Sequence, residues 1–171
     1  MLVAVSDTHG QEGHRLEGAT LRAVREADRV IHAGDFYREA VLDAFLAENE
    51  AVFGVTGNND DHALRDRLPS ARVVAYEGMT VAVRHRSRSG TTGLAMFGRE
   101  RGADVVVFGH SHRPTVDRTT EMVLVNPGSH AQPRGHRAAH AEFHPSATGI
   151  EGRLVTTDGD VFEEFTVRPD G

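Results

Sequence analysis

Four short polar elements in the first two thirds of the sequence contain residues of the kinds that bind divalent metal ions. In chain order they are Asp7-Thr8-His9, Gly34-Asp35, Gly57-Asn58 and Gly109-His110-Ser111-His112. Imidazole nitrogens and carboxylate or amide oxygens suit such ions, and one bridging carboxylate can hold two ions about 3.5 to 4 Å apart for phosphoryl chemistry. Alone, Asp7 could equally cap a helix, Asp35 would be better explained as a helix cap, and Asn58 could occupy a tight turn. The four elements together favour one metal site.

Short strands are expected to position these elements. The apolar runs 2–5, 29–32 and 51–55 each lead directly into a polar element, and amphipathic helix patterns cover 16–27 and 38–48. A strand and a motif thus recur three times with short connections, and a helix pattern with definite bounds follows the first two. This succession predicts a parallel sheet whose carboxyl edge carries the polar residues.

The second half of the chain is richer in strand patterns. A hairpin is predicted from 71–76 and 79–85, a helix over 93–101, and a buried strand over 104–108 that leads into the histidine element. Further strands are predicted over 115–117, 122–125, 138–143, 153–156 and 161–167, with loops over 84–92 and 132–137. Two packed sheets with outer helices fit this pattern better than one doubly wound sheet.

Composition narrows the classes of function. The 171 residues suit one domain, 1–171, and the absence of cysteine excludes disulfides. The chain has no lysine, which excludes Schiff-base chemistry and a P-loop lysine. A net charge of −6 disfavours nucleic acid as the main partner. No apolar run is long enough to cross a bilayer and the start has no signal-peptide pattern, so a cytoplasmic, membrane-free protein is expected.

The ordered residues Asp7-x-His9, Gly34-Asp35, Gly57-Asn58, His85 and Gly109-His110-x-His112 resemble the motifs of the calcineurin-like metallophosphoesterase superfamily. The chain is more narrowly similar to the small single-domain phosphodiesterase branch, on three features: Gly57-Asn58-Asn59-Asp60, Asn126-Pro127-Gly128-Ser129 followed by Pro133-Arg134, and the short length. The resemblance covers nearly the whole chain. It implies an α/β, four-layer fold of two packed mixed β-sheets flanked by helices.

The same resemblance implies a binuclear centre. One ion would be held by Asp7, His9, Asp35 and His112, and a second by Asp35, which bridges, with Asn58, His85 and His110. We expect two divalent ions, Mn²⁺ first, with Ni²⁺, Fe²⁺, Zn²⁺ or Co²⁺ as alternatives. A hydroxide between two such ions would attack a small phosphodiester or phosphate ester.

The catalytic candidates are Asp35, Asn58, Asp60 and Arg134. Larger relatives carry a histidine as leaving-group acid where this chain has Asn59, so Asp60 or a metal-bound water takes that role here. Arg134 could bind a substrate phosphate or could be a solvated loop residue.

The other departure follows His85, where the branch usually has glycine and this chain has Arg86. Arg86 could select an anionic substrate or crowd the second metal site. The remaining histidines are expected at the surface or in packing, with a role near the site kept open for two of them, His130 and His136.

Two non-catalytic readings stay as alternatives. A protein-interaction scaffold similar to the retromer subunit of this branch would keep the fold without turnover, and a metal-bound regulator would bind ions without hydrolysis. Every expected ligand position is filled here, which favours the enzyme. Relatives are often dimers or larger, so a homodimer or higher homo-oligomer is a further expectation.

Overall fold

The computed structural model describes residues 1–118 and 122–168. In these ranges the strands are β1 (Leu2–Val5), β2 (Arg29–His32), β3 (Val52–Gly54), β4 (Ala71–Tyr76), β5 (Met79–Arg84), β6 (Val105–Val107), β7 (Thr115–Asp117), β8 (Val123–Asn126), β9 (Ala139–Ser146), β10 (Gly149–Thr156) and β11 (Val161–Val167). The helices are α1 (Gly18–Glu26), α2 (Glu39–Glu48), α3 (His62–Arg67) and α4 (Gly90–Arg99). No helix of the described part is long and apolar enough to span a membrane.

The strands form two mixed sheets. One has six strands in the order β11-β10-β9-β1-β2-β3, in which β1, β2 and β3 run parallel and the other pairs are antiparallel. The other has five strands in the order β4-β5-β6-β8-β7, with a parallel centre formed by β5, β6 and β8. The predicted fold class is confirmed.

Successive side chains of the central strands point alternately into the core between the two sheets and towards the outer helices. Leu2 and Ala4 of β1 lie in the core between the two sheets, together with Val105 and Val107 of β6. The intervening residues of β1 pack with α1 and α2 on the outer side of the first sheet, and Val106 packs with α4 outside the second. Since successive strand residues point to opposite faces, strands that are apolar throughout must be covered on both sides.

The helix predictions differ from the structure at two places. The sequence pattern contains no bounds for α3, because its single turn and a half is mostly charged and only Leu64 is buried. Asp61 caps this helix by accepting a hydrogen bond from the Leu64 amide. Helix α4 begins at Gly90, inside the segment predicted as a loop, because its exposed Gly-Thr-Thr start has low helix propensity and shows no helical pattern of apolar residues.

A cluster of polar side chains joins β9 to its neighbours on the outer face of the first sheet. The buried carboxylate of Glu142 lies 3.0 Å from Nε2 of His140, 2.9 Å from Nε2 of His144 and 2.7 Å from Nε of Arg153. Nδ1 of His140 lies 3.0 Å from the hydroxyl of Thr20 on α1. Burial raises the pKa of Glu142, but its hydrogen bonds outweigh burial and lower the pKa to about 2.

Glu142→Gln should therefore destabilise the fold at neutral pH. A folded-state pKa below the ordinary value adds stability above about pH 4.5 that is lost as pH falls through about 2. The shift corresponds to about 3 kcal/mol in the free energy of unfolding. Urea titrations should show this loss at pH 7 and a smaller one near pH 3. Glu151→Gln, at an exposed position of β10, is the matched control, and an equal loss in both variants contradicts the assignment.

Candidate metal centre

The loops that follow β1 and β2 are joined by backbone hydrogen bonds. The amide of Asp7 donates to the carbonyl of Gly34 over 3.0 Å, and the amide of His9 donates to the carbonyl of Asp35 over the same distance. Parallel strands end at one edge of a sheet, so these loops run side by side there. The first two motifs are thereby held in one position relative to each other.

The ligand candidates do not lie on extended backbone. Positive φ angles occur at Asp7 (55°), His9 (47°), Asp35 (58°), His110 (76°) and His112 (59°). On extended backbone, residues two apart would point to the same side, but the positive φ angles show that neither Asp7 and His9 nor His110 and His112 are placed in this way. Each left-handed residue costs on the order of 1 kcal/mol, and the loop hydrogen bonds hold the chain in this conformation.

One group of possible ligands consists of Asp7, His9 and His112, whose ligand atoms all lie within 4.8 Å of one another. Nε2 of His112 lies 3.5 Å from Oδ1 of Asp7, and Nε2 of His9 lies 3.8 Å from the same oxygen. Three buried or nearly buried donors around one point can hold a single ion.

A second, overlapping group consists of Asp7, Asp35 and His85, and all three are buried. Oδ2 of Asp35 lies 3.4 Å from Nε2 of His9 and 3.4 Å from Nε2 of His85. Asp35 therefore stands between one histidine of each group. This is the position that a bridging carboxylate would occupy.

Asn58, His110 and Arg134 lie at the solvent side of these groups, and all three are exposed. The ring of His110 meets that of His85 edge to face with 5.4 Å between centroids. Asn58 precedes Asn59, whose amide donates to Asp35. Arg134 is near enough that its charge contributes to lowering the pKa of His112, after the larger effect of burial.

The glycines of two motifs allow neighbouring loops of the site to approach each other closely. A Cβ atom at Gly57 would overlap the carboxylate and amide of Asp35, and one at Gly109 would overlap Ser6 and the carboxylate of Asp7. Any side chain at either position would push the neighbouring loop away. The glycines thus bring the loops into contact.

The hydrogen bonding of His9, His85 and His112 leaves the Nε2 atom of each ring available to bind a metal ion. Nε2 of His9 and Nε2 of His85 are buried without a hydrogen-bond partner in the described part of the chain. Nδ1 of His85 lies 2.8 Å from the carbonyl of Ala33, and Nδ1 of His112 contacts the carbonyl of Gln132. Metal-binding histidines commonly anchor one ring nitrogen in this way and present the other. The residues present therefore fit a divalent metal.

Charge coupling in the metal-free site is strong. Burial would lower the pKa of His9, but Asp35 and Asp7 outweigh it and raise the pKa to about 9. The pKa of His85 is raised as well, because Asp35 outweighs burial. Burial would raise the pKa of Asp35, yet His85 and His9 hold it well below the usual range. The two aspartates thus favour positive charge on the neighbouring histidines. Bound metal ions would supply this positive charge in place of the protons.

Two side chains beside the ligands have roles that residue type and spacing did not reveal. Asn59 orients Asp35: its backbone amide donates to Oδ1 over 2.8 Å and its side-chain amide to Oδ2 over 2.7 Å. Oδ2 of Asp60 accepts from the amides of Gly57 (2.7 Å) and Asp35 (3.2 Å), and Oδ1 accepts from the amide of Tyr37 (2.7 Å). Asp60 thereby joins the loops after β2 and β3.

The Asn126-to-Ser129 motif supports the site from the other side. The side-chain amide of Asn126 donates to the carbonyl of Gly109 over 2.9 Å. The hydroxyl of Ser129 donates to the carbonyl of Asp7 over 2.7 Å and accepts from the amide of Gln132 over 2.8 Å. The motif itself is visible in the sequence, but these contacts depend on partners far away in the chain.

Comparison with known proteins agrees with this geometry. A family model described as the calcineurin-like phosphoesterase superfamily domain matches residues 1–144. A probable metallophosphoesterase of Methanothermobacter thermautotrophicus is 35% identical over 173 residues, covering 98% of this chain and 99% of the relative.

Two solved structures show the same fold. A predicted phosphoesterase from Streptococcus pneumoniae superposes with a TM-score of 0.72 at 22% identity, over 96% of both chains. Vps29 of Chaetomium thermophilum superposes with a TM-score of 0.79 at 14% identity, over 99% of this chain and 97% of its own. From the matched motifs, the full-length relative and the shared fold, the chain belongs to the calcineurin-like phosphoesterase superfamily and to its branch of small proteins.

Proposed function

We propose that this chain is a metal-dependent phosphodiesterase that hydrolyses small phosphodiesters or phosphate esters at a binuclear centre. The observation that carries the proposal is the position of the Asp35 carboxylate, 3.4 Å from Nε2 of both His9 and His85. We further propose that residues 1–171 form one cytoplasmic domain and that Mn²⁺ is the preferred ion.

The residues divide into two ligand sets in this proposal. Asp7, His9 and His112 would hold one ion with Asp35, and the exposed Asn58 and His110 would complete the second set around His85. Divalent ions held there supply a water of lowered pKa and neutralise the charge of phosphate oxygens. The protein contributes fixed ligand positions, since its own hydrogen bonds hold these loops before substrate arrives.

Asp60 has a different role in the proposal. Burial raises the pKa of Asp60, a direction that would suit an acid, but both carboxylate oxygens accept backbone amides. We therefore assign Asp60 to positioning the loops and not to protonation of the leaving group. Arg134 is exposed beside His112, where its planar fork of donors can bind a phosphate oxygen of the substrate.

The rival hypothesis is that this chain is a protein-interaction scaffold without catalytic turnover. The likeness to Vps29, at 14% identity, is a likeness of fold and does not distinguish a binding platform from an enzyme. The orphaned Nε2 atoms of His9 and His85 favour metal binding.

Turnover is the direct test. The protein loaded with Mn²⁺ should hydrolyse bis(p-nitrophenyl) phosphate, should lose activity on treatment with EDTA and should regain it when Mn²⁺ is added back. Metal content is measured in parallel. Two bound ions without hydrolysis of aryl phosphodiesters would support the regulator reading, and no bound ion together with no hydrolysis would support the scaffold.

Metal binding should release protons. At pH 7 the metal-free His9, with a pKa of about 9, carries a proton that an ion must displace. Affinity for Mn²⁺ should therefore rise about tenfold per pH unit for each proton released, from neutral pH up to about 9, and level off above it. Calorimetry in buffers of different ionisation enthalpy counts the protons released. Proton-free binding at pH 7 would contradict the coupling between His9 and its two aspartates.

A further inference from the structure

A shallow basic pocket lies beside the candidate metal centre, between the loop that follows β6 and the loop that precedes β9. It has a volume of about 320 Å³ and is lined by Arg113, Pro114, Gly135, His136, Arg137 and Phe162. This volume is at the small end of the range for ligand sites, about 300–1,000 Å³. It is large enough for one charged group of a ligand and the atoms next to it.

The two loops that line the basic pocket also carry residues of the candidate metal centre. Arg113 directly follows the ligand candidate His112, and Gly135 directly follows Arg134. The contact from Nδ1 of His112 to the carbonyl of Gln132 ties the two loops together. The basic pocket therefore lies next to the metal centre along both loops, and a substrate held at the centre has this pocket as its neighbour.

The charged side chains that line the basic pocket are all of one sign. None of its lining residues is acidic, although the chain as a whole has a net charge of −6. Across residues 1–118 and 122–168, the guanidinium groups of Arg113 and Arg137 have no ion pair with a carboxylate, and both side chains are exposed. The neighbouring acidic residue Glu163 is instead bound by Arg118 over 3.1 Å.

One face of the pocket is already organised. The guanidinium of Arg137 lies over the ring of Phe162, 4.7 Å from its centroid. This stacking limits the orientations of Arg137 and leaves the edge of its guanidinium for an anion. It also covers the aromatic face, so the pocket is suited to a charged group and not to a stacked base.

We propose that the basic pocket binds a second phosphate group of the substrate. The substrate class would be small phosphodiesters that also carry a phosphomonoester, such as a nucleotide ester with a further phosphate. The assignment rests on the proposed function, because it takes the scissile phosphodiester to lie at the metal centre. Two guanidinium groups match the charge and the oxygen geometry of a phosphate dianion.

Binding to the metal-free protein tests the pocket without turnover. The probes are thymidine 5′-(p-nitrophenyl phosphate) and the same compound with a 3′-phosphate. We expect the 3′-phosphorylated probe to bind about tenfold more tightly to the wild-type protein, consistent with hydrogen bonds to charged groups. In R113A/R137A the advantage should fall below twofold, and in R113E the 3′-phosphorylated probe should bind less tightly than the plain one.

The matched control is R22A/R168A, which removes two exposed arginines from α1 and from the end of β11. It should keep the tenfold advantage. Equal affinity of the wild-type protein for the two probes would overturn the proposal, as would an advantage that survives in R113A/R137A. Loss of the advantage in both double variants would overturn it too, since net charge would then explain the effect.

Turnover of the same probes by the Mn²⁺-loaded protein separates the two proposals. A KM about tenfold lower for the 3′-phosphorylated probe, lost in R113A/R137A, supports the subsite during catalysis. Hydrolysis of both probes with equal KM contradicts the subsite and leaves the proposed function standing. If neither these probes nor bis(p-nitrophenyl) phosphate is hydrolysed, the proposed function fails, and the binding result alone decides the subsite.

Discussion

Asp35→Asn should reduce hydrolysis of an aryl phosphodiester on the order of 10³-fold, which corresponds to about 4 kcal/mol of transition-state stabilisation. The neutral amide has one acceptor oxygen in place of two and carries no charge. It could not bridge two ions between His9 and His85, whose Nε2 atoms each lie 3.4 Å from the carboxylate. Metal analysis should show the loss of at least one of the two proposed ions.

The control for this variant is Asp66→Asn, at an exposed position of α3. It makes the same chemical change without touching the site, and turnover should stay within about twofold of wild type. Asp35→Asn should also lower the stability of the metal-free form at neutral pH, because His85 and His9 hold the pKa of Asp35 below its usual range and the amide loses these interactions. If the Asp35→Asn variant is folded, fully loaded with metal and fully active, this result would contradict the proposed bridging role of Asp35.

Asp60→Asn should reduce turnover about 10²-fold and lower the free energy of unfolding by about 2–3 kcal/mol. Oδ1 and Oδ2 of Asp60 together accept three backbone amides, two of them from the loop of Asp35. An asparagine side chain would direct its own N–H group at one of these donors. The loops that carry Asp35 and Asn58 would then separate.

A comparison of leaving groups distinguishes positioning from acid catalysis. p-Nitrophenolate leaves without protonation, whereas an alkoxide needs a proton. If Asp60 positions the loops, Asp60→Asn should slow both esters by the same factor; if Asp60 is the acid, only the alkyl ester should slow. Asp61→Asn is the neighbouring control and should be nearly neutral, because asparagine also caps the α3 N-terminus.

Much of the fold could be predicted because local periodicity and burial agree in this chain. The central strands β1, β2 and β6 are apolar on both faces, which is typical of strands covered by layers on each side. Two features carried no such signal. Helix α3 is too short and too charged to show a period, and the first turn of α4 consists of residues typical of loops.

For the site, the chemistry was present in the sequence as residue types in a fixed order. Metal ligands at successive strand ends, in a chain without cysteine, were enough to predict a histidine–carboxylate centre, and the resemblance of the ordered motifs pointed to the phosphoesterase family. They were not enough to predict which neighbouring side chains hold the ligands in place by hydrogen bonds. Nothing in the spacing indicates that Asn59 orients Asp35 or that Asp60 binds three amides, since these contacts depend on loop conformation.

The four metal-type elements, their order and the two-sheet architecture are thus properties that the sequence by itself determined. The family resemblance placed His85 with Asp35, fifty positions away in the chain, but the tertiary structure alone decided that the ligands sit on left-handed backbone. It also decided that Arg113 and Arg137 share one pocket. The physical reason is that periodicity reports which face of an element is buried, whereas strand order and loop hydrogen bonds decide which distant residues become neighbours.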